Sequence, residues 1–221
     1  MIDIENAKKE FMKYTDKYNE NEVMIERKVK HSLRVMENAK RIAKTLELSE
    51  EDINLATLIG VLHDIGRFEQ QKRANTYSDT KSGIDHGDLG AEILIKEREI
   101  EKYVVDTKYY PIIEKAVRNH NKYKIEEGLT DREKLFCFIA RDADKIDILE
   151  ELIGNDVENM AKSSGYEIND NITPKFIEML MQNKQLERKE QNYVLDWYLN
   201  SLTFLFDINY RESFYMIKEK I

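Results

Sequence analysis

An all-α fold follows from three features of the chain. Apolar residues recur at steps of three, four and seven over most of its length, which is the spacing of one buried helix face. Turn-formers are scarce: 8 Gly and 2 Pro in 221 residues, against averages of about 7% and 5%. A many-stranded sandwich, barrel or propeller needs a turn roughly every 8–12 residues, more than this chain can supply. Finally, a 221-residue chain with 41% hydrophobic residues can bury a sizeable core unaided. Its single cysteine rules out a disulfide scaffold and a cysteine zinc cluster.

The elements follow in order. Ile4, Phe11, Tyr14 and Tyr18 place an amphipathic helix over 4–20. Ile25, Val29, Met36, Ala39, Ala43 and Leu46 stripe a longer one over 22–47. Ser49 followed by Asp52 is a capping-box-like start for a helix over about 50–65. Its apolar residues, among them Ile53, Leu58, Val61 and Leu62, point in nearly every direction, so it is the buried centre. Gly66 reads as its C-terminal stop. Residues 67–85 read as a long polar loop, of a length that is usually functional or mobile. Helices are predicted over about 87–103 and 111–121, the second opened by Pro111, a residue favoured in the first turn. A loop with Gly128 joins them to a helix over 131–153, striped by Leu135, Ile139, Ala143, Ile146, Leu149 and Ile153. Residues 154–172, rich in Asn, Asp and Ser, read as a loop, and Thr173-Pro174 opens a helix to about 182. The aromatic-rich stretch 189–220, with Tyr193, Trp197, Phe204 and Phe214, reads as a helical pair covering the core; a homodimer interface is the alternative. Cys137, between Phe136 and Phe138, is a packed core thiol. No linker divides the chain, so residues 1–221 form a single domain.

The balance of 35 Lys+Arg against 43 Asp+Glu gives a net charge of −8. That argues against non-specific binding to nucleic acid or to an anionic membrane. Runs such as Glu97-Arg98-Glu99 and Glu187-Arg188-Lys189-Glu190 read as solvated helix faces. No run approaches the roughly 18 apolar residues of a membrane span. The N-terminus lacks the apolar stretch of a signal peptide, and a cytoplasmic location is expected.

The chemistry-bearing residues are few. Asp64 follows His63 at the end of the most apolar helix, and a buried carboxylate needs a cation or several hydrogen bonds. Arg67, three residues on, could be that partner. All 4 histidines fall on or beside predicted helices: His31, His63, His86 and His120. Asp144 lies on the late apolar helix, in Asp142-Ala-Asp144-Lys145-Ile-Asp147. Each alone reads as an ordinary core or surface residue; together they suggest a cluster.

The order His31, His63-Asp64, Asp144 resembles the signature of the HD-domain metal-dependent phosphohydrolase superfamily. His31-Ser-Leu-Arg34-Val is similar to its first helix, Leu62-His63-Asp64-Ile65-Gly66-Arg67 to its central helix, and Asp142-Ala-Asp144-Lys145-Ile-Asp147 to its last motif. The resemblance implies an HD-domain helical bundle over about 25–153, with additional C-terminal helices over about 154–221. It implies His31, His63, Asp64 and Asp144 as metal ligands. Two further histidines between the HD pair and the last Asp resemble the binuclear subgroup, in which His86 and His120 would hold a second ion and Asp64 would bridge. Around a single metal, those two would instead contact phosphate or orient ligands.

Imidazole and carboxylate donors suit Mn, Fe, Co, Ni or Zn, and carboxylate-rich variants accept Mg. The expected reaction is hydrolysis of a phosphomonoester, phosphodiester or nucleotide by a metal-bound hydroxide, with two ions stabilising the developing charge. Asp64, Arg67 and Lys145 are the expected catalytic residues. Arg34, Arg67, Arg118 and Lys145 are the expected phosphate contacts; Lys72 and Arg73, in the predicted loop, read as solvated. Asp147 reads as a structural hydrogen-bond partner. A diiron oxygenase built on the same ligand set, or a metal-stabilised nucleotide-binding module without turnover, remains open on the ligands alone.

Overall fold

The computed structural model describes residues 2–18, 22–154, 169, 171–182 and 191–220, and no β-strand occurs among them. The order of helices is α1 (Ile4–Thr15), α2 (Glu22–Thr45), α3 (Glu50–Leu62), α4 (Ile65–Ala74), α5 (Asp79–Ser82), α6 (His86–Ile95), α7 (Tyr110–Asn119), α8 (Asp131–Gly154), α9 (Pro174–Met181), α10 (Val194–Leu202) and α11 (Arg211–Lys220). The loop read at 154–172 and the charge run at 187–190 lie almost wholly, and wholly, outside the described residues.

The most apolar helix is central. Every residue of α3 from Leu55 to Leu62 is buried, and the Ser49 hydroxyl accepts from the Asp52 N–H at its start. Helix α2 packs along both α3 and α8, α7 packs on α8, and α6 packs on α7 and α4. Gly60 permits the α2–α3 approach, because a Cβ there would lie 2.8 Å from the Met36 Cα. Cys137 is buried, as a core thiol should be.

Two boundaries differ from the sequence-based expectation. Helix α3 ends at Leu62, and Gly66 is not its stop. The chain breaks at His63-Asp64, where Asp64 takes φ −102° and ψ 16°, and then continues as α4 through residues read as loop. Its polar side chains mislead. Arg67, Gln70 and Gln71 are all buried on α4, with Gln70 donating to Asp79, Ser82 and the Ile84 carbonyl. Gly66 serves instead as a contact point: a Cβ there would lie 2.3 Å from the His86 carbonyl oxygen and 2.6 Å from the Gly90 N. The helix expected over 87–103 ends at Ile95, because Arg98 adopts a left-handed φ of 60° and a 3₁₀ turn, Glu99–Lys102, follows.

The C-terminal segment is tied to α8 by buried acids. Asp142 accepts from the backbone N–H groups of Asn209 and Tyr210, each at 3.0 Å, and from the Ser213 hydroxyl at 2.7 Å. Tyr198 donates to the Leu152 carbonyl. Phe204 is buried, while Phe206, Phe214 and Tyr215 stay 44–46% exposed. No helix among the described residues is long and apolar enough to cross a membrane.

Candidate metal centre

Five elements converge on one point. Helix α2 brings His31, the break after α3 brings His63 and Asp64, and the first turn of α6 brings His86. His120 caps the C-terminus of α7, and Asp144 comes from α8. His31, His63, Asp64, His86 and His120 are all buried. The structure thus brings together all six residues that the sequence singles out as ligands.

The donor atoms form two groups joined at Asp64. Around its Oδ2, His31 Nε2 lies at 3.4 Å and His63 Nε2 at 3.6 Å. Those two nitrogens lie 3.2 and 3.5 Å from Asp144 Oδ1. Around Oδ1 of Asp64, His86 Nε2 lies at 3.2 Å and His120 Nε2 at 3.5 Å. The paired nitrogens are 3.2 Å apart in the first group and 3.0 Å in the second.

Each ring is held by its other nitrogen. Nδ1 of His63 donates to the Gly60 carbonyl and Nδ1 of His120 to the Val117 carbonyl, both at 2.7 Å. These are helix C-terminal carbonyls left without intrahelical partners. Nδ1 of His31 meets Asp147 at 2.7 Å, and Nδ1 of His86 meets Asp79 at 2.8 Å. A carbonyl or carboxylate can only accept, so a proton sits on each Nδ1, and whenever a ring is neutral its bare Nε2 faces inward. Facing lone pairs about 3 Å apart repel unless positive charge lies among them. This donor set therefore fits a divalent cation of the kind that imidazole and carboxylate bind, with orienting partners of the sort that metal-binding histidines usually have.

The protonation pattern agrees. Burial and Lys28 push His31 down, but its hydrogen bonds to Asp144, Asp147 and Asp64 outweigh them and raise it to about 10. Burial lowers His120 to about 4 despite Asp64. Burial raises Asp64, but Lys28 and the histidines outweigh it and hold the carboxyl well below the usual range. Burial raises Asp144 too, but His31 and His63 outweigh it and hold that carboxyl well below the usual range.

A cavity of ≈ 420 Å³ opens over the centre, and Lys28, Arg67, Lys122, Arg141 and Lys145 line it. Arg67 is buried; its Nη1 donates to Asp79 at 2.7 Å and to the Tyr77 carbonyl. Its Nε makes no hydrogen bond and stands 3.6 Å from Asp64 Oδ1. Lys145 pairs with Asp207; burial and Arg141 lower its pKa against that carboxylate.

Two expected phosphate contacts are not in this lining. Arg34 is engaged by Asp147 at 2.5 Å and Glu151 at 2.5 Å, so it braces the partner of His31. Arg118 pairs with Asp88 at 2.9 Å and Glu114 at 3.0 Å. Lys72 and Arg73 sit on α4 rather than in a loop. Lys28 and Asp79 contact the centre and are absent from the sequence-based set. Lys28 Nζ lies 2.7 Å from Asp64 Oδ2 and could have been found, because it precedes His31 by three residues on the same helical face. Asp79, from the short α5, carries no comparable sequence signal.

The family model of the HD domain matches residues 29–150. No curated protein and no solved structure is significantly similar to the chain. The match covers more than half of the sequence, including all six converging residues, and HD domains are in general metal-dependent phosphohydrolases. The chain belongs to the HD-domain family.

Proposed function

We propose that the protein is a metal-dependent phosphohydrolase holding two divalent ions, with Asp64 bridging them. One observation carries this reading: the two oxygens of Asp64 each face a separate pair of inward Nε2 atoms, beneath a cavity lined by cations. His31, His63, Asp64 and Asp144 would hold one ion, and Asp64, His86 and His120 the other. Ions bound there would supply an acidified water and a polarised phosphoryl oxygen.

The chain's own residues set the rest. Asp64 stays ionised, because Lys28 and the histidines hold its carboxyl down; its role is that of a bridging anion, not a general base. The unbonded N–H at Arg67 Nε lies beside Asp64, placed to donate to a phosphate oxygen. Lys28 and Lys145 add positive charge to the same cavity, and a charge partly withdrawn from water attracts a phosphate more strongly than a solvated one. The substrate is a phosphorylated small molecule or nucleotide.

Metal analysis of protein purified without chelator, followed by a phosphatase, nucleotidase and phosphodiesterase panel with Mn²⁺, tests this reading. Two ions per chain and phosphate release in the absence of O₂ are expected; a single ion at saturating metal would remove the bridge. Wild-type metal content and turnover in both His63→Ala and Asp64→Ala would end the proposal.

A further inference from the structure

The cavity is larger and chemically more mixed than a phosphate group requires. At ≈ 420 Å³ it falls among pockets of roughly 300–1,000 Å³ that enclose whole small molecules. Beside the cations, it is lined by Trp197, Asn200 and Ser201 of α10, by Phe204 just after, and by Tyr77. None of these adds charge for an anion. Aromatic faces and an amide are the chemistry that recognises a flat ring with polar edges.

This part of the lining is fixed in place. Phe204 and Asn200 are buried. Asp196 accepts from the Thr173 N–H at 2.8 Å and hydroxyl at 2.7 Å, and from the Tyr193 N–H at 3.1 Å, anchoring the start of α10. Ser201 donates back to the Trp197 carbonyl at 2.8 Å. The bond from Tyr198 to the Leu152 carbonyl, at 3.0 Å, ties α10 to the helix that carries Asp144 and Lys145. The aromatic lining is thereby held in register with the metal centre. All of α10 lies beyond residue 150, where the family match ends. The shared core supplies the cluster, and the segment outside it completes the cavity.

We infer that Trp197, Asn200 and Phe204 form a subsite for a planar, hydrogen-bonding aromatic ring on the leaving group of the phosphate ester, the chemistry of a nucleobase. Trp197 and Phe204 supply the aromatic surface for the ring, and Asn200 supplies the amide for its edge. The orientation of the ester rests on the phosphohydrolase reading; binding of the ring does not.

Trp197 is the only tryptophan in the chain, so its emission reports on this subsite directly. The metal-loaded protein is titrated with adenosine, guanosine, cytidine, uridine and ribose, none of which carries a phosphate to cleave. At least one nucleoside should change the emission saturably, and ribose should not. In turnover, the matching nucleoside 5′-monophosphate should exceed ribose 5-phosphate in kcat/KM by roughly tenfold or more, and Trp197→Leu should remove that advantage. If all four nucleosides behave like ribose, or if the ring gives no advantage in turnover, the subsite is overturned and the hydrolase reading stands. Ring-dependent emission changes with no phosphate released from any ester would overturn the hydrolase and leave the subsite. The wild-type comparison decides even if Trp197→Leu does not fold.

Discussion

Each histidine of the centre spends one nitrogen on the scaffold and one on the cavity, and the two groups use different acids to do it. Asp147 holds His31 and is itself gripped by Arg34; Asp79 holds His86. Orienting partners of this kind typically affect metal affinity by about 10- to 100-fold. Asp147→Asn should therefore weaken one of two calorimetric binding events by that factor, and Asp79→Asn the other. Equal weakening of both events by each variant would contradict two separate groups. The protonation of His31 sets a second expectation. Its pKa is raised to about 10 by Asp144, Asp147 and Asp64, so at neutral pH the metal-free ring is charged and must lose a proton to bind an ion. Metal and proton compete, and affinity should rise with pH by about tenfold per unit between roughly pH 7 and 9. Titration in buffers of different ionisation enthalpy would count the released proton. At this scale the six converging residues are legible, because residue types and order carry them. The cations were only half legible. Arg34 and Lys28 are both three residues from His31, and sequence cannot say which of the two reaches the cavity and which turns toward Asp147.

At the scale of elements, the centre depends on how closely α4 and α6 cross. Gly66 and Gly90 meet there, and the missing Cβ of Gly66 lets the backbone of α6 approach. Both close atoms, the His86 oxygen and the Gly90 nitrogen, are backbone, so no side chain can rotate away. Overpacking of this kind costs about 1–3 kcal/mol, and a backbone clash belongs at the upper end. Gly66→Ala should lower the urea midpoint accordingly at unchanged m-value. Because the displaced helix begins with His86, it should also weaken the second metal more than the first. A wild-type midpoint would mean that the two helices are not packed this closely. The polarity of α4 hides it from a sequence reading. Residues 67–85 read as a polar loop, whereas Gln70 and Arg67 turn inward to satisfy Asp79 and the carbonyls of Tyr77 and Ile84. Hydrophobic periodicity cannot register a helix whose buried face is polar.

For the whole molecule, the stripes of α2, α3 and α8 were enough to specify the bundle, since these helices bury one face or all of it. What joins the tail to it was not legible. Asp142 and Asp207 act through partners more than 60 residues away in sequence, Asn209 for Asp142 and Arg141 for Asp207, and no local pattern encodes such pairs. The bundle's centre gathers buried imidazoles and two carboxylates, an arrangement that an apolar core tolerates only with compensating charge. Metal binding is thus coupled to folding, because the ligands come from helices that only the folded chain brings together. At free metal about 100-fold above Kd, one site adds about 2.7 kcal/mol. At about 2–4 °C per kcal/mol for a domain of this size, removal of that ion should lower Tm by about 5–10 °C. Chelation with EDTA should produce this fall, re-addition of Mn²⁺ should reverse it, and His63→Ala should respond much less to either. A wild-type Tm indifferent to both would show that the folded cluster holds no ion.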